Sequence, residues 1–303
     1  MKRIIQLLPS AAVLSAGLLW GMISLFVRGL SAAGLDPVQI TMIRLAVAAP
    51  VFTVSALLID HKLLKIRLRD IWMFIGTGII SIVLFNICYF YALIHSQASV
   101  AVILLYTSPA FIMLLSALIF RERITPVKIL SLILTICGCV LVAGFSGGSG
   151  ISPVIVAVGL ASGLFYGLYT IFGRAALKRY SAFTVTVYTF IFGLAGILPL
   201  SRPAEAARTI FRSEDKIKLI LLCLGVGIMC TALSYVLYTW GLSGMESGKA
   251  AVLAASEPVV GAVIGMTLYH ESRSVTKIIG IIMIIAAMLV LELPKKAKKA
   301  TDT

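Results

Sequence analysis

Long apolar runs separated by short polar breaks fill the chain from end to end. Ten of them are long enough to cross the hydrocarbon core of a bilayer, which takes about 20 residues of helix at roughly 1.5 Å each. Their approximate spans are 10–30, 37–59, 71–93, 98–120, 126–145, 152–173, 182–200, 217–241, 249–269 and 274–293, numbered helices 1 to 10 in that order. Local chemistry marks several starts. Asp36-Pro37, Thr125-Pro126 and Ser152-Pro153 each set an N-cap residue before a proline at the first helical position. Ser274 does the same without proline. The longest polar interruption, Ser201 to Lys216, is mixed in charge and is expected to lie along the membrane surface. The pattern predicts an all-α membrane protein of ten transmembrane helices.

The pattern also repeats. Ser99 to Lys128 recurs as Gly248 to Lys277 at a constant offset of 149, which sets Ala101 on Ala250, Leu104 on Leu253, Pro109 on Pro258, Glu122 on Glu271 and Lys128 on Lys277. Between helices 1 and 6 the offset is 146, and Trp20, Ser24 and Arg28 fall on Tyr166, Thr170 and Arg174. Each triple is spaced i, i+4, i+8 and shares one helical face. Small residues recur beside it: Gly17 and Gly21 in helix 1, Gly159, Gly163 and Gly167 in helix 6, Gly261 and Gly265 in helix 9. Such spacing lets helices approach closely. The division that follows is a first five-helix repeat at 1–146, a flexible joint at 147–151, a second repeat at 152–294 and a basic tail at 295–303. Five helices is an odd number, so the second repeat enters the membrane from the opposite side and the halves are inverted copies.

Composition agrees with a bilayer protein. Hydrophobic residues make up 60% of the 303, charged residues 13%, and the mean hydropathy is +1.07, more apolar than a soluble domain of this size can hide. The net charge of +14 does not mark a nucleic-acid binder, because the basic residues sit in short loops and at the tail rather than on one face. With the N-terminus inside, the inner segments hold 17 of the 26 Lys and Arg, so both termini are expected to be cytoplasmic, as in a multi-pass plasma or inner membrane protein. Lys2 and Arg3 precede an apolar stretch as in a signal peptide, but it runs on to about Val27 without a clear small-residue cleavage site and is read as helix 1. Cys88, Cys137, Cys139, Cys223 and Cys230 all lie inside apolar runs and are read as apolar fillers, not as disulfide or metal ligands.

At particular residues the chain resembles a known family. LLWGMISLFVRGL followed by ITMIRLAVAAPVF, then TSPAFIMLLSALIFRERIT, and later SEPVVGAVIGMTLYHESRS, are similar to the paired domains of the EamA family in the drug/metabolite transporter superfamily. The resemblance covers nearly the whole chain. It implies a ten-helix carrier with a central cavity lined by helices 1–4 and 6–9, with helices 5 and 10 peripheral. It implies no particular substrate, since such proteins variously export amino acids, metabolites or drugs. Two departures stand out: His270 replaces the small residue usual before Glu271, and Phe190 stands where Arg44 would repeat.

Arg44 and Glu257 are the only strongly ionisable side chains well inside the apolar spans, and a charge there costs about 2.5–3.5 kcal/mol on insertion scales, which marks both as site candidates. The structural alternative has Arg44 bonding helix-end carbonyls and Glu257 accepting bonds beside the proline. Their depths differ by roughly 10 Å along the membrane normal, against a direct salt bridge. Asn86 and Tyr89 on helix 3 and Tyr235 and Tyr238 on helix 8 present polar tips on single faces. With Trp20, Tyr106, Tyr166 and Tyr169 they are candidates for an aromatic cavity suited to an amphipathic or ring-bearing solute, against helix packing or an interfacial belt. Pro109 and Pro258 are expected to kink helix interiors and to act in gating. Glu122 and Glu271 read as structural, snorkelling and holding the next helix's start.

These features favour a secondary carrier for a small metabolite, with a proton as a candidate coupling ion. No HExxH, Gly-x-Ser-x-Gly, Walker lysine loop or carboxylate cluster is present, so no catalytic residue, cofactor or metal is expected. A channel or membrane-embedded ligand sensor of the same fold is the alternative, without a visible signalling domain or filter repeat.

Overall fold

The computed structural model describes residues 2–96, 98–144, 152–270 and 274–292. The expected joint at 147–151, Glu271 and the tail at 295–303 lie outside the described residues. Every described element is helical. Among the described residues nine helices are long and apolar enough to cross a membrane: α1 (Leu7–Ala32), α2 (Pro37–Ile59), α3 (Leu68–His95), α4 (Val100–Phe120), α5 (Pro126–Ala143), α6 (Pro153–Leu177), α7 (Ala182–Leu200), α8 (Lys216–Ser243) and α9 (Ser247–Leu268). A tenth, α10 (Val275–Glu292), is equally apolar but shorter. Leu58, Ile94, Leu118 and Leu289 remain exposed on the outside of the bundle, where acyl chains would cover them.

The expected caps form. Asp36 accepts the Gln39 N–H at 2.8 Å and Gln39 returns the bond to the Asp36 N–H at 3.0 Å, a reciprocal pair that fixes where α2 begins. Thr125, Ser152 and Ser274 cap the starts of α5, α6 and α10 with a single bond each, the side-chain oxygen accepting a first-turn N–H. Within the stretch 201–216, Pro203–Arg212 is a short amphipathic helix with Ala206 buried and Phe211 exposed.

The two halves of the chain interleave. α1 and α2 pack on α8 and α9, α3 and α4 pack on α6 and α7, α7 also packs across on α2, and α5 pairs with α10 at the side. Glycines make the first two associations close. A Cβ on Gly17 would lie 2.9 Å from the Ala254 carbonyl of α9, and one on Gly163 would lie 2.8 Å from the Leu104 carbonyl of α4. Gly17 and Gly163 are repeat partners at the 146 offset.

Those contacts fall on helix breaks, which corrects the expectation for the prolines. α4 is two pieces, Ala98–Leu105 and Ser108–Phe120, and α9 is likewise Ser247–Ala254 and Ser256–Leu268. Pro109 and Pro258 therefore lie in the first turn of a second piece, not in a helix interior. A missing N–H costs nothing there, because the first turn has no intrahelical acceptor for it. A second paired irregularity widens α3 at Gly76–Leu84 and α8 at Ile228–Leu233 into π-helix. Residues 79–84 and 228–233 correspond at the 149 offset. At the ends of α4 and α9, Arg121 and His270 both adopt left-handed backbone, φ 56° and 52°. That conformation explains why a small residue suits the position His270 occupies.

Candidate functional site

A cavity of about 440 Å³ lies between the α1/α2/α8/α9 group and the α3/α4/α6/α7 group. It extends from Glu257 and Pro258 at the α9 break to the end of the bundle where Ser31, Pro37 and Leu93 are found. Both candidate charges are on its wall. Arg44 of α2 donates from Nε to the Thr231 hydroxyl at 2.9 Å, and Thr231 in turn donates to the Val226 carbonyl five residues back, a reach the π-helical turn provides. Glu257 of α9 accepts the Tyr166 hydroxyl on Oε2 at 3.3 Å. Glu257 also lies in the first turn of its half-helix, whose unpaired N–H groups and dipole favour a negative charge. The two side chains form no ion pair with each other. They remain separate charges facing one space.

Aromatic rings complete the wall in two clusters. On one side Trp20 meets Tyr235 edge-on, centroids 5.2 Å apart. On the other, Phe85 contacts Tyr166 at 5.3 Å and Tyr89 at 5.8 Å. Tyr106 also lines the cavity. Tyr169 and Tyr238 do not. They stand behind Tyr235 and Trp20 with hydroxyls bonded to Thr239 at 2.6 Å and Thr170 at 2.7 Å, so they brace the lining without forming it. Asn86 reaches the wall with one bond at each end of its amide: Oδ1 accepts from Thr41 at 3.2 Å and Nδ2 donates to the Ile82 carbonyl at 2.7 Å. Pro258 lines the cavity and Pro109 does not. Phe190, the repeat partner of Arg44, is fully buried against Phe52 and Tyr235, which leaves the cavity with one arginine and one carboxylate among the described residues.

The opposite end of the bundle is closed by a polar cluster that sequence reasoning assigned only in part. Glu122, just past α4, pairs with Arg174 of α6 at 3.3 Å and accepts the Ser247 N–H at 3.0 Å. It thus holds the start of α9, not of the helix that follows it, because the left-handed turn at Arg121 redirects the chain. Arg174 also donates to the Leu242 carbonyl at 3.3 Å and to the Met245 carbonyl. Lys128 pairs with Glu246 at 2.7 Å. Nearby, Asp70 is buried, paired with Arg179 and accepting the Tyr180 hydroxyl at 2.6 Å. Burial, and then that bond, push the Tyr180 hydroxyl above its ordinary value and keep it the donor. Asp70 and Thr231 were missed. A single acid at a helix start and a threonine in an apolar run carry no pattern of their own, and the only signal for Thr231 was the need of Arg44 for an acceptor. Among the described residues no group of three His, Cys, Asp or Glu could hold a metal ion.

Comparison with known proteins agrees with this architecture. The sequence profile of the EamA-like transporter family matches residues 8–144 and again 153–293, and the chain belongs to that family. It is 27% identical over 289 residues to an uncharacterized transporter of Archaeoglobus fulgidus, covering 92% of this chain and 94% of that one. It is 21% identical over 291 residues to the uncharacterized inner membrane transporter YicL of Salmonella typhimurium, covering 94% and 95%. A crystal structure only 20% identical in sequence superposes with a TM-score of 0.73 over 94% of this chain and 96% of the other, and so shares the fold. The protein is a multi-pass membrane transporter.

Proposed function

We propose that this transporter is a secondary active carrier that exports a small zwitterionic, amphipathic metabolite of the amino acid class by alternating access. The observation that carries this reading is the pair of separate charges, Arg44 and Glu257, on the wall of one aromatic cavity of about 440 Å³. That volume is within the range for a single small ligand, roughly 300–1,000 Å³. In this reading the guanidinium takes a carboxylate, the Glu257 carboxylate takes an ammonium or a proton, and Trp20, Tyr89 and Tyr235 cover the apolar part. Ten crossings, the last by α10, form two inverted five-helix repeats, with the closed end and both termini cytoplasmic. A cavity open at one end and sealed at the other supports a carrier over a channel.

The test is counterflow. Proteoliposomes loaded with single amino acids are expected to take up the labelled form of a subset that also raises the melting temperature of the purified protein, since a ligand stabilises the state it binds. Uptake that is linear in solute concentration and needs no internal solute would make the protein a channel. The orientation has its own test. In a cysteine-free background, a cysteine at position 65 is expected to react with an impermeant thiol reagent only from the cytoplasmic side, and one at position 31 only from outside. Reaction of both from one side would overturn the topology.

A further inference from the structure

We infer that Glu122, with Arg174, is the latch of the cytoplasmic gate: the bonds that close the inner mouth are the ones that must break for solute to enter from the cytoplasm. The inference rests on the alternating-access reading above.

Three features of the cluster carry it. First, its bonds cross between the two helix groups that flank the cavity. Glu122 belongs to the α4/α6 group, yet it accepts the Ser247 N–H at the start of α9. Arg174, in the same group as Glu122, donates to the carbonyls of Leu242 in α8 and Met245 beyond it. Second, these ties stand at the sealed end. Met113 of α4 is buried there against Gly248 of α9, and neither belongs to the cavity lining. Third, the contacts are chemically reversible. The Glu122 side chain is 7% exposed, but it holds backbone N–H groups and a guanidinium at a helix end, all of which water can take over once the helices part. An apolar seal of equal area has no such substitute.

The repeat places an equivalent arginine at the other mouth. Arg28, partner of Arg174 at the 146 offset, lies over the Tyr269 ring at 3.8 Å, and Tyr269 corresponds to Phe120 at the 149 offset. Arg174 lies over Phe120 at 5.9 Å. Each arginine thus meets the aromatic end of the helix it packs on, within its own group.

The experiment reads access and needs no substrate. All five native cysteines are replaced by alanine, Met113→Cys serves as the reporter, and inverted membrane vesicles are treated with an impermeant methanethiosulfonate. Glu122→Gln keeps the shape of the side chain and removes its charge. It is expected to raise the labelling rate about tenfold, in line with the loss of charge-assisted hydrogen bonds. Arg174→Lys is expected to do the same, because a single ammonium cannot offer one nitrogen to Glu122 and a second to the Leu242 and Met245 carbonyls as Nε and Nη1 do, and it serves if Glu122→Gln fails to fold. Unchanged labelling in a folded variant overturns the latch, including in a protein that transports solute normally. Raised labelling in a protein that moves no solute keeps the latch and overturns the carrier reading instead.

Discussion

Glu257→Gln is expected to abolish solute accumulation driven by a pH gradient while leaving the protein inserted and folded. Glutamine retains the acceptor that Tyr166 bonds at 3.3 Å, so the local geometry survives and the change is in charge alone. Among the described residues no ion pair neutralises the carboxylate, since Arg44 bonds Thr231 and does not pair with Glu257. An ionised side chain at this depth costs about 2.5–3.5 kcal/mol on insertion scales, and a protein bears that cost where the charge is used. Glu257 can discharge it by binding a proton or a substrate ammonium. Glutamine can do neither. If the ammonium is the partner, losing a charged hydrogen bond is expected to weaken binding about ten- to hundredfold. If the proton is the partner, exchange persists and accumulation against a gradient is lost. Proteoliposomes with an imposed pH gradient separate the two. Full rate with unchanged pH dependence in Glu257→Gln would return Glu257 to a structural role. Removing the charge relieves a desolvation cost, so the melting temperature in detergent is expected to hold or rise, and a collapse would mean that lost activity reflects lost fold.

What could be read from the residues alone depended on whether the signal was local. The start of α2 was legible because Asp36 and Pro37 specify it by local chemistry, and Arg44 and Glu257 were legible because a charge inside an apolar run is rare. The breaks in α4 and α9 were not. Tyr106-Thr107 and Ala255 contain no breaker residue, and the prolines two and three positions further on suggested kinks in continuous helices. The breaks coincide with contacts from the other half of the chain: Gly163 stands against the Leu104 carbonyl and Gly17 against the Ala254 carbonyl. Tyr169 and Tyr238 failed as lining residues for a related reason. Each presents a polar tip on a helical face, but whether that face looks into the cavity or behind it depends on rotation. The π-helical turn at Ile228–Leu233 alters the rotation of the part of α8 that carries Tyr238.

Gly21→Ala tests whether the α1–α9 contact, and not the proline, sets the position of the intramembrane carboxylate. A Cβ at position 21 would lie 2.6 Å from the Glu257 carbonyl and 2.5 Å from Val260 Cβ, distances real Cβ atoms do not adopt. Both obstacles are fixed to the α9 backbone, so no rotamer change relieves the overlap and the helices must separate. Overpacking of this kind costs about 1–3 kcal/mol, and the displaced atoms include the backbone of Glu257 itself. The expected result is a lower melting temperature together with a loss of solute binding of about tenfold or more, the two changing together because one displacement causes both. Gly261→Ala is the control. It is on the same pair of helices and lines the same cavity, but its added Cβ meets only the Gly21 carbonyl, at an ordinary 3.9 Å. It is expected to change neither quantity appreciably. Gly163→Ala extends the test to the other half, where a Cβ would lie 2.8 Å from the Leu104 carbonyl and 3.1 Å from that of Leu105. The α4 break carries Ser108 where α9 carries Glu257, so this variant is expected to lose stability with less loss of binding than Gly21→Ala. Equal loss of binding in both would mean that the solute is held as much by the α4 break as by the carboxylate at the α9 break.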